Sequence, residues 1–281
     1  MYRKLIRGLK EQIFNNKLGK VALFIIILFT LISILAFLSP YEPNKIDMSS
    51  RLKSPNKTNI FGTDIMGRDY FTRILYGGRI SLSVGFLSML ISTTIGTIVG
   101  SISGYFEGRL DSFLMRGVDV LMSIPSFFII LVLNAYLKPS IGIIVLIIGL
   151  LGWMGTARLV RAETLSIKSN EYVLYAKSLG VSNLKIIRKH IIPNVLPTVI
   201  VAATLSIAGA ILTESALSFL GMGVQAPDAS WGSMLSKSQG YMDEAPYLGI
   251  FPGMFILLTV LSFNILGDTI RNTLESRGDN R

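Results

Sequence analysis

The chain alternates long apolar blocks with short stretches rich in charged residues. Six blocks have the length and apolar character of membrane spans, and they cover residues 21–39, 80–103, 118–137, 140–155, 195–220 and 248–266. A helix needs about 20 mostly apolar residues to cross a bilayer. Backbone polar groups in a bilayer must be bonded internally, and these blocks lack the alternation of barrel strands, so they predict helices. The predicted fold class is all-α, a polytopic membrane protein of about six transmembrane helices.

The first block predicts an uncleaved helix with its start in the cytosol. A signal peptide would have a shorter apolar region, of about 7–15 residues, ending at a small-residue cleavage site. The basic residues before and at the start of the block favour a cytosolic start under the positive-inside rule; they are Arg3, Lys4, Arg7, Lys10, Lys17 and Lys20. Six spans then place both termini in the cytosol.

Charge in the loops mostly agrees with this orientation. The loop 158–189 falls inside and is strongly basic, whereas 221–247 falls outside and has Lys237 as its only basic residue. Segment 41–79 is predicted outside although it contains seven Lys and Arg residues, which opposes the rule. We divide the chain into residues 1–79, with the N-terminal cytosolic segment, first helix and extracytoplasmic loop, and a five-helix core, 80–281.

Composition supports a membrane protein and excludes several other classes. Of 281 residues, 51% are hydrophobic, and the mean hydropathy is +0.56. The net charge of +10 comes from residues that flank apolar blocks, so it is interpreted as a topology signal and not as a nucleic-acid surface. With no cysteine and only His190, thiolate chemistry and multi-histidine metal sites are excluded. We therefore expect no metal and no cofactor bound by this chain.

An enzymatic role is also disfavoured. The pair Gly19-Lys20 lacks the upstream glycine of a phosphate-binding loop and is followed by Val21. No group of carboxylates or nucleophiles inside the spans forms a catalytic constellation. We expect no catalytic residue.

Two stripes of small residues predict close helix contacts. Gly96, Gly100 and Gly104 recur every four residues, so one face of the second span is open to another backbone. The fifth span carries a second stripe with one ionisable residue, which makes it a candidate pathway or interface; its members are Ala202, Ser206, Ala210 and Glu214. Helix packing is the alternative role for that stripe.

The loop at about 158–194 contains the most informative pattern. Residues 171–179 predict a short amphipathic helix with Tyr172, Tyr175, Ala176 and Leu179 on one face. Gly180 is suited to end it. Ser182 or Asn183 is suited to cap a second helix that ends before Pro193. Periodicity alone fits either a docking knob or a helix on the membrane surface, and the stiff connections at Gly180 and Pro193 favour the knob.

This loop resembles the EAA loop of bacterial ATP-binding-cassette importer permeases. The matching text is EYVLYAKSLGVS, beginning at Glu171, followed by HIIPN, beginning at His190. Ala176, Gly180 and Pro193 match the general motif. Departures from the motif occur at Leu174, Tyr175, His190 and Ile192.

Further segments resemble the C-type permease subunit of dipeptide, oligopeptide and nickel importers. They are FGTD with GRD at 61–69, MR with Asp119 and Pro125, ESALSFLG with GVQ at 214–225, SWG at 230–232, and FN with GD at 263–268.

The resemblance implies a docking role for the loop and a set of partners. The loop residues that would contact an ATPase are Glu171, Tyr172, Tyr175, Ala176, Gly180, Ser182 and Pro193. The implied partners are a second permease of similar fold, two ATPase subunits that hold ATP and magnesium, an extracellular solute-binding protein and membrane lipid. We expect a peptide cargo and a bacterial cytoplasmic membrane location. A nickel or metal-chelate cargo stays open, as does an ion-coupled transporter that uses Glu214.

Overall fold

The computed structural model describes residues 16–137 and 140–278, and every regular element in these ranges is helical. Five helices are long and apolar enough to cross a membrane, and one bent helix pair passes the same test as a single span. The predicted all-α, polytopic class is confirmed. Residues Arg3, Lys4, Arg7 and Lys10, which entered the orientation argument, lie outside the described residues.

The helices are numbered here in chain order. They are α1 (Lys17–Ile34), α2 (Tyr70–Phe106), α3 (Gly108–Ser123), α4 (Ser126–Tyr136), α5 (Ile141–Lys168), α6 (Glu171–Ser178), α7 (Asn183–Ile186), α8 (Ile192–Phe219), α9 (Trp231–Ser238) and α10 (Tyr247–Gly278). A π-helical turn, Ile187–Ile191, joins α7 to α8. Short 3₁₀ turns occur at Leu35–Leu38, Met48–Ser50 and Gln239–Tyr241.

Hydrogen bonds between helix ends show how the bundle is arranged. The Tyr70 hydroxyl at the start of α2 donates to the Leu248 carbonyl at the start of α10 over 2.6 Å. The Tyr105 hydroxyl near the end of α2 donates to Asn183 Oδ1 at the start of α7 over 2.9 Å. We call the end of the bundle that carries α6 and α7 the loop end, and the opposite one the far end.

The third predicted span, 118–137, is not a straight helix. It is formed by α3 and α4, which meet at 76°. Pro125 forces the break because the residue before a proline is driven out of the helical region. Ile124 accordingly has φ −97° and ψ 126°. The predicted block begins at residue 118, ten residues after the start of α3 at Gly108, because the first turns of α3 are too polar to resemble a membrane span.

The second span also begins earlier than its apolar block. Helix α2 starts at Tyr70, and the Asp69 carboxylate caps it by accepting from the Thr72 backbone N–H over 2.8 Å. Arg73 interrupts the hydropathy pattern, yet its side chain is buried and its Nε lies 3.5 Å from Asp64 Oδ2. The predicted boundary between residues 79 and 80 therefore falls inside a continuous helix.

Several basic residues of segment 41–79 are committed to the fold of the far end. Arg68 contacts the Asp64 carboxylate at 2.6 Å. Arg79 Nε donates to the Ser33 carbonyl over 2.7 Å. These bonds give the segment's positive charges a structural role, which a count of loop charges under the positive-inside rule does not take into account.

Helix α2 is the centre of the bundle and packs mainly against α5 and α8. The short helix α9 is attached to it at the far end. Trp231, at the start of α9, is fully buried, and its indole N–H donates to the Ile74 carbonyl of α2 over 2.9 Å. The bond satisfies the one polar group of a large apolar side chain, so α9 is anchored firmly.

Candidate functional site

The loop between α5 and α8 contains a short helix with a defined end. Gly180 follows α6 with φ +76°, a conformation that L-residues with a side chain rarely adopt. The Gly180 N–H donates to the Lys177 carbonyl over 3.0 Å, and the Val181 N–H donates to the Ala176 carbonyl over 3.2 Å. This pair of bonds is a Schellman motif, which fixes the direction in which the chain leaves the helix.

The two faces of α6 have different surroundings. Val173 and Ala176 are 2% and 8% exposed and belong to an apolar cluster with Val181 and residues of α5 and α7. Tyr172, Tyr175 and Leu179 are 44%, 67% and 64% exposed. The buried stripe attaches the helix to the bundle, and the other face is open.

Ala176 is thus not on the exposed face, where the sequence pattern placed it beside Tyr175. Residues 173 and 176 are three apart and lie on one side of α6, while 172, 175 and 179 lie on the other. Periodicity defines two stripes but not which of them is buried. The choice is made by an apolar cluster that includes Val160 and Ile167 of α5 and Ile186 of α7, against which the two small aliphatic side chains pack.

The second half of the loop also differs from the prediction. Pro193 does not follow a helix end but lies in the first turn of α8, directly after the π-helical turn. A proline in the first turn of a helix costs little, because its missing N–H would have no partner within the helix there. The wider π turn before it lets the chain continue from α7 into α8 without a break. Ser182 occupies the N-cap position of α7, although its side chain makes no capping bond, and Glu171 is exposed in the first turn of α6.

Ion pairs connect α3 to the end of α5 that leads into this loop. Arg161 donates to the Asp111 carboxylate through Nε and Nη2, both over 2.6 Å, and the Ser103 hydroxyl contacts the same group. Lys168 pairs with Glu107 at 2.8 Å. A third pair joins Asp119 to Arg158. Of these residues, only Asp119 stands out in the sequence pattern; the sole signal for the other pairs is the presence of acids in and just before α3 and of bases on α5.

We expect the Asp111–Arg161 pair to contribute to stability and the Asp119–Arg158 pair to contribute little. The Asp111 side chain is 12% exposed, whereas Asp119 and Arg158 are 61% and 46% exposed. Removing one partner of a sheltered pair leaves a poorly solvated charge, and exposed pairs are worth roughly 0–1 kcal/mol. Double-mutant cycles on the purified protein should give a coupling of about 2 kcal/mol for the first pair and near zero for the second. Equal couplings would contradict this assignment.

The glycine stripe of α2 faces α5. A Cβ added to Gly96 would lie 2.7 Å from Thr156 Cβ, and one on Gly104 would lie 2.7 Å from the Arg161 carbonyl oxygen. At Gly100 it would lie 2.5 Å from the Ala157 carbonyl oxygen. Since real Cβ contacts are longer than this, the two backbones approach as closely as glycine permits.

The second stripe, on α8, is directed mostly into the protein's own interior. Ala202, Ala210 and Glu214 are 7%, 4% and 0% exposed, and Ser206 is half-buried.

The Glu214 carboxylate lies at the centre of a hydroxyl network that joins α2, α8 and α9. Ser218 and Ser230 each donate to Oε1 over 2.6 Å, and Ser81 donates to Oε2 over 3.4 Å. Ser230 also caps α9 by accepting from the Ser233 N–H over 3.1 Å. The geometry is that of a structural link between helices, so Glu214 does not line an open path in this structure.

Replacing Glu214 with glutamine should therefore be tolerated, while leucine should not. The glutamine oxygen can accept the Ser218 and Ser230 bonds, whereas leucine removes the acceptor of both buried O–H donors, at about 1–3 kcal/mol for each. We expect near-normal thermal stability and transport for Glu214→Gln and a marked loss of stability for Glu214→Leu. Loss of transport in a stable Glu214→Gln protein would instead indicate a proton or ion pathway.

The architecture defines a class. A bundle of membrane-spanning helices carries a rigidly mounted short helix, open on one face, at one end. Within residues 16–137 and 140–278, no group of three or more His, Cys, Asp or Glu residues could hold a metal ion. This is the arrangement of a multi-span membrane protein that presents a short helix at one end.

Comparison with known proteins gives the particular family. The model of the binding-protein-dependent transport system inner membrane component family matches residues 96–278. The model of the N-terminal TM domain of oligopeptide transport permease C matches residues 10–55. The chain belongs to the binding-protein-dependent transport system inner membrane component family.

Individual relatives agree with this assignment over nearly the whole chain. A dipeptide transport system permease protein of Bacillus subtilis is 41% identical over 265 residues, which are 94% of this chain and 83% of the relative. An oligopeptide transport system permease protein of Haemophilus influenzae is 43% identical over 278 residues, 98% of this chain and 89% of the relative. The resemblance to peptide-importer permeases seen in the sequence is confirmed.

A solved structure supports the fold alone. The inward-facing MetNI methionine ABC transporter matches with a TM-score of 0.58 at 17% identity, over 70% of this chain and 94% of that chain.

Proposed function

We propose that this protein moves peptides across the bacterial cytoplasmic membrane as the permease subunit of an ATP-driven importer. The observation that carries the proposal is the mounting of α6: Val173 and Ala176 fix it to the bundle, and Tyr172, Tyr175 and Leu179 remain open. A helix held in this way can transmit the movement of a soluble partner to the spans.

The position of α6 supports docking over a role on the membrane surface. Helix α2 has 37 residues and is therefore about 55 Å long, more than the roughly 40–45 Å of a whole bilayer. Tyr105, in its last turn, is bonded to the loop that carries α6. The loop end can therefore extend into the cytosol, with both termini on the same side.

The partners follow from the same proposal. A second permease of similar fold completes the pathway, and two ATPase subunits dock at the loop end. ATP and magnesium bind in those ATPases, and this chain has no catalytic role. An extracellular solute-binding protein delivers the cargo to the far end. Coupling requires that the open face of α6 contacts the two ATPase states differently, because equal contacts would shift no equilibrium.

Peptide cargo is supported by the names of the relatives, which include dipeptide, oligopeptide and glutathione permeases. The ion-coupled alternative rested on Glu214, whose carboxylate is bonded to serines within the chain.

The experiment that tests the proposal is uptake and ATP hydrolysis by the reconstituted complex with its binding protein, against a peptide panel and nickel chelates. Peptide-stimulated hydrolysis with peptide accumulation is expected. If only nickel chelates stimulate ATP hydrolysis, the cargo is a nickel chelate and the ATP-driven mechanism still holds. ATP-independent uptake by this chain alone would overturn the proposal.

A further inference from the structure

A cavity of about 290 Å³ opens at the far end of the bundle. Its walls come from the first turns of α2, the start of α5 and the loops before α2 and α9. The volume is close to the lower limit of the roughly 300–1,000 Å³ typical of small-molecule sites. None of the residues assigned above to coupling, helix packing or the Glu214 network lines it.

Two guanidinium groups at the cavity are held in fixed positions. Arg79 donates from Nε to the Ser33 carbonyl and from Nη2 to the Ile34 carbonyl, both over 2.7 Å, and its Cζ lies 4.7 Å from the centre of the Tyr76 ring. Arg73 Nη1 donates to the Asn44 side chain over 2.9 Å. A cation that is already ordered loses little further entropy when it binds an anion.

Arg79 retains donor capacity. Its Nη1 makes no hydrogen bond within the part of the chain that the structure describes. A guanidinium whose other nitrogens are bonded to carbonyls presents this group in a set direction, which suits a carbonyl or carboxylate oxygen.

A carboxylate lies on the same cavity without a partner. Asp228 is exposed, and it forms no ion pair or hydrogen bond with any residue in the described ranges. It stands directly before Ala229 and the buried start of α9, which limits its movement. The rest of the wall is mostly apolar and includes Ile80 and Ile141. The cavity thus offers one negative group, the ordered Arg79 guanidinium and apolar side chains.

We infer that this cavity binds short zwitterionic peptides directly, before they enter the pathway. The Asp228 carboxylate accepts from the peptide ammonium group, and Arg79 donates to the terminal carboxylate. Ile80 and Ile141 contact side chains without selecting among them. The inference rests on the proposed peptide cargo, and it adds a recognition site in the permease itself.

The test uses the complex purified with its partner subunits in lipid nanodiscs and without the binding protein. Binding of trialanine, N-acetyl-trialanine and trialanine amide is measured by calorimetry. Trialanine should bind, and each blocked peptide should bind at least about tenfold more weakly, the change expected when a charge-assisted hydrogen bond is lost.

A matched pair of variants assigns the ammonium contact. Asp228→Asn should lower trialanine affinity to the level of the N-acetylated peptide. Asp243→Asn removes another exposed acid at the far end that does not line the cavity, and it should bind as the wild type does. Neither aspartate has a partner in the described structure, so folding should be unaffected, and thermal unfolding checks this.

The inference is overturned if the wild-type complex binds no peptide, if N-acetylation has no effect, or if Asp228→Asn binds normally. Peptide uptake by the complete importer distinguishes failure of this inference from failure of the proposed function. Uptake without direct binding to the complex rejects the cavity site alone, whereas absence of uptake rejects the peptide cargo.

Discussion

Replacing Gly100 with alanine is expected to force α2 and α5 apart and to destabilise the protein. The new Cβ would lie 2.5 Å from the Ala157 carbonyl oxygen and 2.8 Å from Val160 Cβ. The first obstacle is backbone, so a side-chain rotation cannot relieve it and α5 itself must move. Overpacking of this kind typically costs about 1–3 kcal/mol.

Thermal unfolding in detergent measures the effect, and a fall of roughly 5–10 °C is expected for a loss near the upper end of that range. Gly155→Ala is the matched control, because it adds the same methyl to α5 at a position with nothing within 4 Å. That variant should unfold at or above the wild-type temperature, since alanine favours helix. Equal behaviour of the two variants would show that the α2–α5 contact is looser than described here.

Replacing Gly180 with valine is expected to uncouple ATP hydrolysis from transport while leaving the protein inserted and folded. Gly180 has φ +76° and nothing within 4 Å of a Cβ, so the obstacle is the backbone conformation and not space. A left-handed L-residue costs roughly 1–2 kcal/mol, and β-branching adds to that. The Schellman turn should open and change the direction of α6.

A change near 1.4 kcal/mol corresponds to about a tenfold loss of coupled uptake. Gly180→Asn provides the control because asparagine tolerates this conformation, and it should retain most of the activity. Uptake and binding-protein-stimulated hydrolysis in proteoliposomes are the readouts. Normal coupling in Gly180→Val would reject the role of the turn, whereas loss of insertion in both variants would indicate a folding defect instead.

Much of the fold was available in the sequence because hydropathy is a local property. All six apolar blocks occur in helices, since a stretch of this composition has no other way to satisfy its backbone in a bilayer. Gly180 was also recognisable, because the need for a left-handed residue after a helix is local. Hydropathy failed where polar residues lie within helices, at the start of α2 near Arg73 and in α3 around Asp111.

The site was less predictable, because its geometry depends on contacts between distant segments. The pattern in 171–179 did not say which stripe of α6 would be buried, and Ala176 was assigned to the wrong one. Pro193 was interpreted as a boundary, although the π turn before it allows the helix to continue. Glu214 stands out as an ionisable residue in an apolar block, but two of its three serine partners, Ser81 and Ser230, come from other segments of the chain.

The all-α membrane class, the glycine face of α2 and the end of α6 can be read from the residue pattern, because each depends on residues within a few turns of one another. The packing of helices sets the rest: the glycine face meets α5, Arg161 pairs with Asp111, and Arg79 and Asp228 share a cavity. Each helix satisfies its own backbone hydrogen bonds in the bilayer whichever neighbour it packs against. Which helices pack together therefore depends on contacts between distant segments, and short-range sequence patterns do not specify them.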